Sequence, residues 1–414
     1  MLEQFFDSPR RVQAFRNGPS GALLEGFAQE LSRWGYAKIT ARRHIRAANH
    51  LIFWADKEGI AAANFDEQVI ARFDEHLKRC RCPGCGRTGR DLLHDARSFV
   101  AYVNGADVNV GRAREPAPRD PVLLALFCEW MREQRGTADR TLDDYTIVLR
   151  DLLKRIGEDP GKLNARGLRE FVLEQSRNRG CRAVKRTTAA VRMFVRFLIA
   201  EGMCATGLDA AIPVVAHWRL SSLPRYLQAE EVERVIASCD PSLPVGKRDR
   251  AILILLARLG LRAGDIVQLR LGDIDWKGSW IRVSGKSKRE TQLPLTQELG
   301  QAIVDYLQDA RPHSNTDAVF VRSRAPFRAF ANHIAVSGIV KRAMRRAGVT
   351  CPSRGAAHLL RHSAATSMLR HGASLQDIAA ILRHRSIETT QIYAKVDVTT
   401  LQRIAQPWPE VRPC

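Results

Sequence analysis

Six side chains have the types needed to move a phosphoryl group: Arg262, Lys286, His358, Arg361, His384 and Tyr393. His358 and Arg361 stand three apart in the run HLLRH, so on a helix they leave by the same face. Both can donate hydrogen bonds to phosphate oxygens, as can His384, and arginine does so in a fixed fork. Tyr393, nine residues past His384, brings a hydroxyl that could act as a nucleophile. The chemistry these residues suggest is phosphoryl transfer to a tyrosine. His362 and His371 read as helix surface or packing, and Tyr226 and Tyr306 lack neighbours of the right kind.

The elements around these residues are legible. RDRAILILLARL, 248–259, is apolar nearly all round and predicts a buried helix ended by Gly260. A second helix over 263–269 then puts Arg262 at a helix start, where backbone amides favour anions, although an ordinary surface ion pair would also suit an arginine. The run DIDW-KG-SWIRVS-GKSK-RETQLPL predicts a three-stranded meander with turns at Lys277-Gly278 and Gly285–Lys288. Lys286 is then on a hairpin tip, with Lys288 and Arg289 as rival candidates and as expected DNA contacts.

Upstream, helical periodicity runs from Ala22 to Leu77, with Thr40 as an expected cap, and again over 92–103. Residues 1 to about 20, with Pro9, Gly18 and Pro19, read as a loosely attached lead-in. A Gly-, Pro- and charge-rich stretch, 106–120, reads as a linker, and so does 213–225. Between them lie helices with Phe127 and Trp130, then Thr141 as a cap, then 168–173 and 187–199. The spans Phe27–Thr40 and Phe127–Thr141 are nearly equal, which suggests duplication of a small helical unit or merely generic helix-turn-helix patterning. The last helix of this block carries Arg182, Lys185, Arg186 and Arg192 beside apolar positions, a basic side suited to phosphates along DNA.

The cluster CRCPGC offers Cys80, Cys82 and Cys85, with His76 before it or His94 after it, as candidate zinc ligands. The spacing C-x-C-x-x-C matches no standard finger, and a tight Pro-Gly turn carrying a few thiols is the favoured reading.

The chain has 414 residues, 45% of them hydrophobic, so two or three domains with real cores are expected. Lysine and arginine total 65 against 44 acidic residues, a formal charge of +21, which points to nucleic acid as partner. No apolar run is long enough to span a membrane, and the first residues lack the layout of a secretory signal. Nine cysteines do not resemble a disulfide framework. A cytoplasmic, nucleoid-associated protein is expected.

The segments LGLRAGDIVQLRLGDID, VSGKSKRETQLPL, HLLRHSAATSML and ILRHRSIETTQIYAKV together resemble the tyrosine recombinase (phage integrase) family over roughly 225–405. Two positions depart from the family pattern: Arg383 replaces a usual glycine, and Asp265 replaces a common glutamate. Neither is a catalytic position. The resemblance implies a mainly α fold with a small antiparallel β-sheet. Its parts are an additional helical N-terminal domain (1–105), a helical core-DNA-binding (SAM-like) domain (121–212) and an α+β catalytic domain (226–414). It implies site-specific DNA strand breakage and rejoining through a 3′-phosphotyrosyl bond to Tyr393, in integration, transposition or resolution. Arg262 and Arg361 would clamp the phosphate, Lys286 protonate the leaving oxygen, His358 act as base or proton shuttle, and His384 hydrogen-bond the phosphate. No cofactor or active-site metal is expected. Double-stranded DNA, a tetramer on DNA and possible partner recombinases are the expected partners. Residues 398–405 read as a short helix that links subunits, and the extra N-terminal unit leans the reading toward a transposon-type member. A type IB topoisomerase-like enzyme and a catalytically silent DNA-binding protein are the alternatives.

Overall fold

The computed structural model describes residues 1–80, 82, 90–105, 121–157, 159–177, 179–214, 223–284, 290–352, 355–384, 386–397, 401–403 and 405. Its contacts divide it into two compact units, Arg112–Ser221 and the remainder, Met1–Gly111 with Ser222–Cys414.

The N-terminal part comprises α1 (Leu2–Phe5), α2 (Pro9–Arg16), α3 (Gly21–Arg33), α4 (Lys38–Lys57), α5 (Glu67–Arg79) and α6 (Arg90–Val103). Phe27, Leu31, Ile45, Leu51, Phe73 and Phe99 form its core. The first residues are not a loose lead-in. Leu2, Phe5, Phe6 and Val12 are buried in that same core, and Pro9 starts α2 at its first turn, where its missing N–H costs nothing. Apolar residues at helical spacing here outweigh the Pro and Gly punctuation.

The second unit holds α7 (Val122–Arg135), α8 (Asp139–Ile156), α9 (Ala165–Arg177) and α10 (Cys181–Ala200) around Phe127, Leu149, Leu168, Phe171 and Phe194. The threonine caps are misplaced in both halves. Helix α4 begins after Ala37 and α8 after Ala138, so Thr40 and Thr141 sit inside the first turn.

The C-terminal part runs through α11 (Ala229–Ala237), α12 (Pro244–Arg258), α13 (Ala263–Gln268), β1 (Ile274–Asp275), β2 (Trp280–Ser284), β3 (Glu290–Pro294), α14 (Gln297–Asp309), α15 (His333–Arg346), α16 (Ala356–Arg370) and α17 (Leu375–Leu382). The strands form the expected meander, antiparallel in the order β1-β2-β3, with Ile281 opposite Leu293 and Ser284 opposite Glu290. In the first turn the Asp275 carboxylate accepts from the amides of Lys277 and Gly278, at 3.0 and 2.8 Å. Helix α12 is the spine of this part, with Ile252 to Leu256 fully enclosed. The N-terminal bundle touches this part: the Arg328 guanidinium lies 4.2 Å from the centre of the Trp34 ring, and Gly35 stands against Phe327 with no room for a Cβ. Among the described residues no helix is long and apolar enough to cross a membrane.

Candidate active site

Helix α12 must turn sharply to deliver Arg262, and Gly260 makes the turn at φ +59°. A Cβ on Gly260 would stand 2.5 Å from Leu382 Cδ2, so glycine also lets the end of α17 approach. Arg262 then caps α13, its backbone amide donating to Asp265 Oδ2 at 2.8 Å. This junction is the one expected from sequence.

Helix α16 supplies the next groups. It starts after Gly355, at φ +80°, and turns Arg361 inward, where the side chain is buried. One arm of its guanidinium donates to the carbonyl of Gly260 and the other to that of Leu382. Arg262 Nη2 donates to the next carbonyl, that of Arg383, at 3.1 Å. Two arginines from different helices are thus tied to consecutive carbonyls at the C-terminal end of α17, where the helix dipole favours cations. Each guanidinium has five N–H donors, so both keep donors for a further acceptor. Burial, then the neighbouring Arg262, pushes Arg361 down to about 10, and burial also lowers Arg262. Both remain cations at neutral pH.

His384 follows these carbonyls directly. Its Nδ1 is 2.8 Å from the hydroxyl of the buried Thr390. Burial first, then Arg361 and Arg262, depress its pKa to about 4, so the ring is neutral near pH 7. When Thr390 donates to Nδ1, the proton resides on Nε2, which becomes the hydrogen-bond donor.

Tyr393 lies in a short 3₁₀ turn, Gln391–Val396. Its ring is 1% exposed and packs with Ala365, Ile378 and Leu382 between α16 and α17. Burial raises its pKa to about 12, and Arg361 works against that rise. The phenol is therefore protonated at rest and requires an acceptor for its proton. His362 provides one: its Nδ1 is 2.8 Å from Tyr393 Oη, and the phenol donates when Nδ1 carries no proton. By its spacing alone His362 reads as helix surface or packing, and the structure corrects this. The residue is one step past Arg361, and only the fold of the 3₁₀ turn brings Tyr393 over it. His358, expected beside the tyrosine, is exposed, with its ring centre 6.1 Å from that of His362.

Lys286, Lys288 and Arg289 lie outside the described residues, as does Cys85. Within the second unit, Lys185 and Arg186 are exposed, Arg186 at 3.6 Å from Asp144, and the side chain of Arg182 is outside the description. Arg192 points elsewhere: it donates to the carbonyls of Ile212 and Pro213, at 3.0 and 3.4 Å, and so pins its own chain. Of the thiol cluster, Cys80, Cys82 and His76 come together, and His50, unmarked in the sequence reading, joins them. His94 instead neighbours His44.

Residues 225–399 match the Phage integrase family. The integrase/recombinase y4rA of Sinorhizobium fredii is 36% identical over 398 residues, 95% of this chain and 95% of that protein. The chain belongs to the tyrosine recombinase family. The fold agrees, because XerH bound to its palindromic difH site is similar with TM-score 0.56 at 18% identity, over 82% of this chain and 95% of that one. A lambda integrase tetramer bound to a Holliday junction is similar with TM-score 0.52 at 17% identity, over 80% and 91%. The recombinase is a DNA strand transferase.

The two departures from the family pattern turn out to be one feature of this recombinase. Arg383 occupies a left-handed position, φ +54°, where glycine is the easy residue. Its guanidinium reaches back and pairs with the Asp265 carboxylate, and both side chains are nearly buried. Among the described residues its Nε and Nη1 have no hydrogen-bond partner. Asp265 therefore holds the Arg262 amide with the same Oδ2 that meets Arg383. The pair shapes the pocket even though neither member is expected to react.

Two expected outcomes arise here. His362→Ala should lower strand cleavage about 100-fold, the scale of a lost proton acceptor. A suicide-substrate cleavage rate unchanged from wild type would remove His362 from proton transfer. The second concerns stability. His384 and the core residue His44 are both depressed to about 4, His44 mainly by burial and then by Arg43. In the unfolded chain each would titrate near 6.5, so the unfolded state takes up protons first, and stability falls as pH drops from about 6.5 toward 4. Asp95, raised by burial, acts in the opposite sense nearer the carboxylate range. Melting temperatures should decline steadily from about pH 7 to 5, and a flat series would contradict the assignment.

Proposed function

We propose that this recombinase cleaves DNA with Tyr393 and joins DNA segments at specific sites, most simply as the integrase of a mobile element. Tyr393 Oη attacks a backbone phosphorus while its proton passes to His362 Nδ1. The bond from phosphorus to the 5′ oxygen breaks, leaving a 3′-phosphotyrosyl link. The resemblance gives Lys286 the role of returning a proton to the 5′ oxygen. Arg262 and Arg361 neutralise the nonbridging oxygens as charge builds, and His384 donates from Nε2. The exposed His358, beside His362, passes the proton onward. The link conserves the energy of the broken bond, so a 5′ hydroxyl from another strand reverses the step without ATP.

The observation that carries this reading is the buried phenol 2.8 Å from a histidine within a pocket of convergent arginines. Because Tyr393 sits in the pocket of its own chain, it supports cleavage in cis. We assign core-site DNA binding to residues 121–212 and catalysis to 226–414. Exchange between two duplexes requires four active sites, and the lambda integrase tetramer on a Holliday junction supports a tetramer of this chain on double-stranded DNA in the nucleoid. The match to y4rA spans the N-terminal unit as well, which supports an integration or transposition system, with room for partner recombinases.

Two labelled duplexes carrying the ends of the element that encodes the gene should yield joined products. Relaxation of any supercoiled plasmid without joining would favour a topoisomerase, and DNA binding with neither would mean lost catalysis. Binding should also fall steeply with salt, by about 10³-fold or more between roughly 50 and 200 mM if at least six phosphates are contacted. A flat response in a titration would contradict the role given to the +21 charge.

A further inference from the structure

The thiol cluster of the N-terminal bundle takes no part in the chemistry above. His50 stands on α4, His76 in the last turn of α5, Cys80 at the cap of α5 and Cys82 two residues on. Their ligand atoms all lie within 4.8 Å of one another. Three of the six edges are 3.4 Å between the Nε2 atoms of His50 and His76, 3.3 Å from His50 Nε2 to Cys80 Sγ, and 3.5 Å from His76 Nε2 to Cys82 Sγ. A tetrahedron with Zn–N of about 2.0–2.1 Å and Zn–S of about 2.3 Å has N–N edges near 3.4 Å and N–S edges near 3.6 Å. Each of these three edges falls within about 0.3 Å of the corresponding tetrahedral value.

We propose that His50, His76, Cys80 and Cys82 hold one structural zinc ion.

The surroundings suit an ion at that place. The His76 ring stacks on Trp54 and on Phe73, with centres 5.7 and 5.8 Å apart, and His50 meets Phe73 edge-on at 5.1 Å. These contacts fix both imidazole planes with their Nε2 atoms converging. The Cys82 amide donates to Cys80 Sγ at 3.4 Å, an outer hydrogen bond of the kind that orients a metal ligand. Two thiolates and two imidazoles are the donor set zinc prefers, and four protein ligands close the sphere, so the ion would not act on substrate. It would staple the end of α5 to α4, joining ligands 26 residues apart in sequence. That separation explains why the spacing of the cysteines alone favoured a simple turn: the fourth ligand is a buried histidine on another helix, absent from any local motif.

Full-length protein without a histidine tag, grown with zinc, should contain about one zinc per chain by plasma mass spectrometry. Cobalt in its place should give the intense visible bands of a four-coordinate site with thiolate-to-metal charge transfer. Cys80→Ser and Cys82→Ser should each cut zinc below about a tenth per chain, while Cys85→Ser keeps it. Far-ultraviolet circular dichroism establishes that each variant is folded, and a strong chelator should lower the melting temperature of the wild type but not that of folded Cys82→Ser. Zinc-free wild-type protein, zinc retained in both serine variants, zinc lost from Cys85→Ser, or a six-coordinate cobalt spectrum would each overturn the assignment.

Discussion

Tyr393→Phe leaves the recombinase folded and bound to DNA but with no covalent adduct. The phenylalanine ring fits the same apolar pocket of Ala365, Ile378 and Leu382 and deletes only the oxygen. One hydrogen bond, to His362, is lost, worth about 1 kcal/mol, and the hydroxyl no longer has to be buried. Stability should therefore change little, while the chemistry should lose the nucleophile proposed for it. A nicked duplex that traps the cleaved state, run on a denaturing gel, reads the adduct directly, and a mobility shift reads binding. Other tyrosines are poor substitutes. Tyr306 is buried, and its hydroxyl accepts from the Val321 amide at 3.3 Å. Tyr226 receives a hydrogen bond from Arg370 at 2.8 Å. Adduct persisting in the phenylalanine variant would mean a different nucleophile and would end the assignment of Tyr393.

How far such a site can be read from sequence depends on the distance over which its geometry is set. Arg262 at a helix start and the three-strand meander follow from patterns within about 20 residues, where periodicity and turn chemistry act. The spacing of three that puts His358 and Arg361 on one face does not show that His358 is exposed while Arg361 is buried. His362 was missed because its role depends on a tertiary contact 31 residues away. Periodicity cannot separate a histidine that faces a neighbouring turn from one that faces solvent. The ion pair of Asp265 and Arg383, 118 residues apart, was legible only as two unrelated oddities. Each breaks a local preference, an arginine where φ is positive and a shortened acid, and the compensation lies across the fold. The N-terminal lead-in shows the opposite error. Pro9 and Gly18 read locally as boundaries, whereas Leu2, Phe5 and Phe6 carry enough apolar surface to dock.

Arg361→Ala should lower cleavage about 1,000-fold while moving the melting temperature only slightly. The first magnitude is that of a positioned donor to a developing oxyanion, about 100- to 1,000-fold, and the upper end suits a fork that meets one phosphate with a full charge. The second follows from two opposed effects. Removing the guanidinium orphans the carbonyls of Gly260 and Leu382, costing about 1–3 kcal/mol each unless water enters the space. Against this, the cation itself is held at a cost. Burial and Arg262 push its pKa well below the ordinary arginine value, to about 10, equivalent to roughly 3 kcal/mol of disfavour toward the charged form. Deleting it also relieves its repulsion with Arg262 and Arg383. The contributions are comparable, so the fold should gain little from Arg361, whereas the proposed reaction should gain much. Suicide-substrate cleavage rates and thermal melts on the same preparation separate the two. Loss of cleavage that tracks loss of folded protein would reduce Arg361 to a packing residue, whereas a folded variant that binds DNA and fails to cleave it places the charge at the phosphate.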